Sequence, residues 1–97
     1  MPRLLIKECI YYSQLDEDAF FHWLTSIVGV TRVVGTSEGL SVTLRSSRVS
    51  ESALRDLLAL YFRYKIPMRA LAQFETPANR AWFRAKHAYW YGAVFGK

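Results

Sequence analysis

This chain has few of the features that usually narrow a protein's role. Its 97 residues include one cysteine, Cys9, so no internal disulfide and no multi-cysteine zinc site can form. In a strand of apolar neighbours that cysteine reads as a small core residue. No uninterrupted apolar run approaches the ~18 residues of a membrane-spanning helix. Proline and glycine are sparse, at three and five residues, and nowhere build a linker; with no internal repeat or low-complexity tract, one domain over residues 1–97 is expected. The opening MPRLLIKECIYY is interrupted by Lys7 and Glu8 and followed by no small-residue cleavage site, so no secretory signal is expected and the cytosol is the expected compartment. GxSxG, P-loop, HExxH and GxGxxG patterns are all missing. Glu8, Cys9, His22 and His87 are the residue types an enzyme would need, but nothing in their spacing groups them, and neither catalysis nor a cofactor or metal is expected. His22 stands one turn after Asp18, which suits a surface ion pair better than a metal site with no further ligand.

What is present is apolar and aromatic. Hydrophobic residues make up 52% and aromatic residues 15%, too much for a disordered chain and enough for one compact core. The net charge of +5 is unevenly placed. Residues 1–48 hold five basic and five acidic groups, whereas residues 49–97 hold eight and three. That asymmetry suits either an acidic partner or a plainly solvated face.

Periodicity supplies an element order. RLLIKECIYY, residues 3–12, reads as a strand with Leu4, Ile6 and Ile10 on one face and Glu8 interrupting it. Ser13 and Asp16 resemble a capping box, and Phe20, Trp23, Leu24 and Ile27 form one buried helical stripe that Gly29 ends. VTRVVGT and LSVTLRS flank a turn at Ser37-Glu38-Gly39, with Leu40, Val42 and Leu44 inward and Ser41, Thr43 and Arg45 outward. Ser50 caps a second helix carrying Leu54, Leu57, Leu58, Tyr61 and Phe62, and Pro67 stops it. MRALAQF, residues 68–74, reads as a fourth strand, although Ala, Gln and Leu suit a helix equally. Thr76-Pro77 opens a third helix running to about Gly92. The expectation is an α+β fold, a ferredoxin-like split βαβ sandwich (β-α-β-β-α-β) with an added C-terminal helix. Its outer sheet face, with Leu5, Lys7, Cys9, Val33, Ser41, Thr43, Arg45 and Leu71, is too apolar to be wholly wet. Either the third helix covers it or a second copy forms a homodimer there.

Were residues 78–91 one helix, Arg80, Arg84, His87 and Tyr91 would form a narrow basic stripe. Trp82 and Tyr89 would lie on the buried face, and Phe83 and Trp90 on a half-covered flank. Arg80, Phe83, Arg84, His87, Trp90 and Tyr91 are therefore the expected partner-binding residues, because aromatics beside arginine make effective anchors. Interleaved basic and aromatic residues also mark nucleic-acid binding. The outward third-strand residues Ser41, Thr43 and Arg45 nonetheless offer no stacking platform, so RNA or DNA would have to bind through the basic helix alone.

From Leu60 onward, LYFRYKIPMRALAQFETPANRAWFRAKHAYWYGAVFG resembles the ends of small bacterial proteins with the pattern "RY-I-MRQLAQF...NR-WF...YW...VFG". The likeness rests on residues such as Arg63, Tyr64, Met68, Phe74, Asn79, Trp82, Phe83, Trp90 and Phe95, over about the last third of the chain. It is similar to immunity proteins of contact-dependent inhibition and related polymorphic toxin systems. The resemblance implies a rigid scaffold with no catalytic group, whose partner is a cognate toxin domain and which works by occluding it. Its basic charge departs from the acidic substrate mimicry expected of a nuclease inhibitor.

Overall fold

The structure is a computed structural model, and residues 2–7 and 9–96 are described. Glu8, expected to interrupt the first strand's inner face, lies outside the described residues. The chain is α+β, with a three-stranded antiparallel sheet in the order β1-β3-β2. The strands are β1 (Arg3–Ile6), β2 (Val30–Thr36) and β3 (Gly39–Leu44), and the long helices are α1 (Gln14–Ser26) and α2 (Glu51–Arg63). A 3₁₀ helix (Arg69–Phe74) and two single-turn helices, α3 (Arg80–Phe83) and α4 (Tyr91–Val94), follow among the described residues.

The caps form where the polar residues placed them. Ser13 Oγ accepts the Asp16 amide at 3.1 Å, satisfying one orphan donor, while the Asp16 carboxylate accepts the Tyr12 amide, one residue before the cap, at 3.0 Å. Ser50 Oγ accepts the Ala53 amide at 3.2 Å in the same way. β2 and β3 are joined by the two residues Ser37 and Glu38, with Thr36 opposite Gly39. Gly39 has φ +135°, and a Cβ there would run into the Ile6 carbonyl and come within 2.8 Å of Lys7 Cα. Only glycine lets β1 close against this turn.

Leu4 and Ile6 of β1 and Val42 and Leu44 of β3 face one way, onto Phe20 and Leu24 of α1 and the leucines of α2. Each fully buried Leu or Phe contributes about 1.5–3 kcal/mol. α2 is buried more widely than a single stripe would be, since Ala53, Leu57 and Leu60 are covered as well as Leu54, Leu58 and Tyr61. The C-terminal segment supplies the extra cover: Arg55 stacks over Trp82 at 4.4 Å, Phe62 meets Tyr89 at 4.8 Å, and Phe83, Trp90 and Val94 join the same core.

Four expectations are corrected. Residues 68–74 are not a fourth strand, because Leu71 and Phe74 are spaced for a three-residue turn and both are fully buried on one side of a 3₁₀ helix. β1 stops at Ile6, and Ile10 beyond it is 67% exposed. Phe62 leaves the inner face of α2 and is 54% exposed. Finally, the outer sheet face carries Arg3, Leu5, Arg32 and Val34 but neither Val33, which pairs with buried Val42 on the inner side, nor Leu71. The C-terminal segment does not lie over that face; it packs on α2 and the 3₁₀ helix. Among the described residues no helix is long and apolar enough to cross a membrane.

Candidate functional site

The segment expected as one basic helix is broken. α3 ends at Phe83 and α4 begins at Tyr91, with turns between them. Thr76-Pro77 does not open the helix directly: α3 starts at Arg80, after a turn over residues 77–79 in which Thr76 Oγ1 accepts the Asn79 amide at 3.2 Å. Asn79 then ties the entry down from inside: its Oδ1 accepts the Thr76 amide at 2.8 Å and its Nδ2 donates to the Phe74 carbonyl at 2.9 Å. Further on, the Trp90 indole N–H donates to the Phe83 carbonyl at 2.6 Å, taking the place of a helical amide partner and turning the chain back on itself.

This rearrangement redistributes the six expected binding residues. Phe83 is fully buried and Trp90 is 5% exposed, so neither reaches a partner. Arg80 and Arg84 converge on Glu75, at 3.0 Å from Arg80 Nε and as a two-point pair of 2.7 and 2.8 Å from Arg84. Arg84 also lies 4.2 Å from the centre of the Phe95 ring, which makes it a clamp between the 3₁₀ helix exit and the chain end. His87 is exposed on a turn, and Tyr91 is half-buried beside Phe95. The single cationic stripe is therefore absent. The roles of the aromatics are exchanged too, with Tyr89 52% exposed rather than buried.

The Glu75 carboxyl is held down to about 2, mainly by the Arg84 hydrogen bonds, with burial working against them and Arg80 adding to them. A carboxylate depressed in the folded chain stabilises it above its unfolded pKa and loses that contribution as pH falls through the folded one. The clamp is thus complete above about pH 4.5 and dissolves toward pH 2. Thermal melts of wild type and Glu75→Gln should differ at neutral pH and converge across that window.

A different surface is assembled at the end of α2. There the Lys65 amide donates to the Phe62 carbonyl at 3.3 Å and the Ile66 amide to the Tyr61 carbonyl at 2.9 Å, with Ile66 buried. This is a Schellman closure, which normally places glycine at the left-handed position. Here Lys65 occupies it, at φ +58°. Replacing Lys65 by glycine should raise stability by about 0.5–1 kcal/mol, read from the urea midpoint, because the left-handed strain is relieved. Lys65 thus presents its cation from a strained left-handed position.

Lys65 and Arg63 stand between two depressions. One, of about 540 Å³, is shallow and aromatic, with Trp23 of α1, Phe62 of α2 and Tyr89 around Ala59. The other, of about 810 Å³, runs from Leu5, Lys7 and Cys9 to Tyr61, Ile66 and Pro67. Burial pushes the Cys9 thiol up, a Tyr11 hydrogen bond opposes that, and Asp16 adds to it, so this cysteine is not set up as a thiolate. Burial likewise pushes the Tyr61 hydroxyl up. Among the described residues no three His, Cys, Asp or Glu side chains gather in a metal-binding group. Sequence reasoning missed this surface. Phe62 fits the apolar spacing of α2 and gave no signal of it; the one signal was a lysine directly before Ile66-Pro67. Compared with known protein families, curated proteins and solved structures, the chain matches none.

Proposed function

We propose that this chain is a non-enzymatic cytoplasmic binding protein that neutralises a cognate bacterial toxin domain by covering its functional surface. The observation that carries the reading is the exposed aromatic groove of Trp23, Phe62 and Tyr89, bordered by Arg63 and Lys65. Phe62 and Tyr89 are each more than half exposed, and they lean edge to face against one another with centroids 4.8 Å apart. A preformed aromatic pair loses little side-chain freedom on binding and brings large contact area, while the cations at its border speed encounter with an acidic or mixed surface. The order β1-α1-β2-β3-α2, with β3 between β1 and β2, further supports reading the domain as a ferredoxin-like sandwich whose fourth strand is replaced by the 3₁₀ helix. The C-terminal likeness to immunity proteins agrees, although the contact surface moves from the expected basic helix to the end of α2.

The test is co-expression with the C-terminal domain of a large exported protein, where the neighbouring reading frame encodes one. Wild type should restore growth and co-purify. Phe62→Ala combined with Tyr89→Ala should fold, since both rings are exposed, yet weaken the complex by about 30-fold or more. If wild type neither protects nor binds while holding RNA or DNA with a steep salt dependence, the chain is a nucleic-acid module instead.

A further inference from the structure

The sheet has an open side beside the larger depression. In an antiparallel pair, residues alternate between bonding the neighbouring strand and facing away from it. The Leu44 amide donates to the Pro2 carbonyl at 2.9 Å, which sets the phase: with Leu4 opposite Val42 and Ile6 opposite Leu40, the even residues of β1 bond β3. The amide and carbonyl groups of Arg3 and Leu5 therefore point outward from the sheet. Among the described residues no other strand meets that edge, because the segment expected to form the fourth strand is coiled as the 3₁₀ helix. Leu5 and Lys7 line the 810 Å³ depression, and Tyr61, Arg63, Lys65 and Pro67 form its far wall. The space is of the size that holds a ligand, and one of its walls is an unpaired strand.

We propose that this depression takes an extended acidic segment of a partner protein, which adds to the sheet as a strand beside β1. The backbone edge of Arg3 and Leu5 supplies the main-chain pairing, and Lys7, Arg63 and Lys65 supply the charge that selects the guest. All three cations are exposed. Among the described residues lining the depression the one carboxylate is Asp16, which accepts from the Tyr12 amide at 3.0 Å and from the Tyr64 hydroxyl at 3.0 Å and stands against the three cations. Among the described residues, three cations against one carboxylate leave the depression net positive, over an apolar floor of Ile66 and Tyr61. The other free edge, β2, is less suited: its register shifts between Val30 and Arg32, and such a bulge disturbs regular pairing along an edge. Lys65 presents its cation to this depression from its strained left-handed position. The inference does not depend on the partner being a toxin.

The experiment is a titration of the isotope-labelled full chain with two capped octapeptides, one alternating Glu and Val and one alternating Lys and Val, followed by amide shifts. The acidic peptide should shift the Arg3, Leu5 and Lys7 amides in a saturable way, and the basic one should leave them unmoved. Leu5→Pro removes an outward donor without removing a bond to β3, a place where an edge strand tolerates proline, and should cut affinity at least tenfold. Lys7→Glu combined with Lys65→Glu, both at exposed positions, should do the same and carries the test if the proline variant melts early. Equal binding of both peptides, shifts confined to β2, no saturable shift with either, or pairing of β1 with a second copy of the chain would each overturn the proposal.

Discussion

Replacing Trp90 by alanine should cost about 3–5 kcal/mol of folding stability, a large part of the ~5–15 kcal/mol that separates a folded domain from its unfolded chain. The indole is 5% exposed and packs edge-on against Trp82 at 6.0 Å and Tyr89 at 4.9 Å. Its removal opens a cavity between α2 and the C-terminal turns and leaves the Phe83 carbonyl without the donor that now sits 2.6 Å away. Trp90→Phe keeps much of the volume and loses the hydrogen bond, so it should fall between wild type and the alanine variant. Urea midpoints followed by far-ultraviolet circular dichroism give both numbers. An alanine variant within about 1 kcal/mol of wild type would show that the C-terminal turns do not belong to the core.

The second large effect is expected at Asn79, a buried polar side chain in an otherwise apolar region. Alanine there strands the Thr76 amide and the Phe74 carbonyl together, at about 1–3 kcal/mol for each buried group left unpaired. A total of about 2–6 kcal/mol should appear as a lowered melting temperature. Asn79→Asp sharpens the test. A carboxylate still accepts from Thr76 but faces the Phe74 carbonyl with like partial charge, so folding favours its protonated form. That raises the folded pKa, and the variant should regain stability on the acid side of its titration while the Ala variant does not.

The parts of the fold legible in the sequence are those fixed by local chemistry. Ser13 and Ser50 act as caps because a hydroxyl beside an orphan amide needs no tertiary help. The turn at Ser37–Glu38 and the alternation of Leu4, Ile6, Val42 and Leu44 follow from backbone geometry and a two-residue period. RALAQF was ambiguous because a run of three-residue spacing and a short strand place apolar residues almost alike over so few positions. The C-terminal break was illegible for a different reason. Between Arg80 and Tyr91 there is no proline or glycine, and local propensity favours a continuous helix. The break accompanies pairings that a continuous helix does not make, Arg84 with Glu75 nine residues back and the Trp90 indole with the Phe83 carbonyl seven residues back, and packing of Trp82 under Arg55 of α2. With Phe83 and Trp90 buried, the aromatic rings left exposed are those of Phe62 and Tyr89, where the proposed contact surface lies.

The placement of the three tryptophans separates two signals on the unaltered protein. Trp23 lines the shallow groove, whereas Trp82 and Trp90 sit together under Arg55, at 4.4 and 5.7 Å from its guanidinium carbon. A ligand settling into the groove changes the emission of the first and shields it from acrylamide, while loss of the C-terminal turns uncovers the other two. Occupancy and unfolding can thus be followed by intrinsic fluorescence with no label attached.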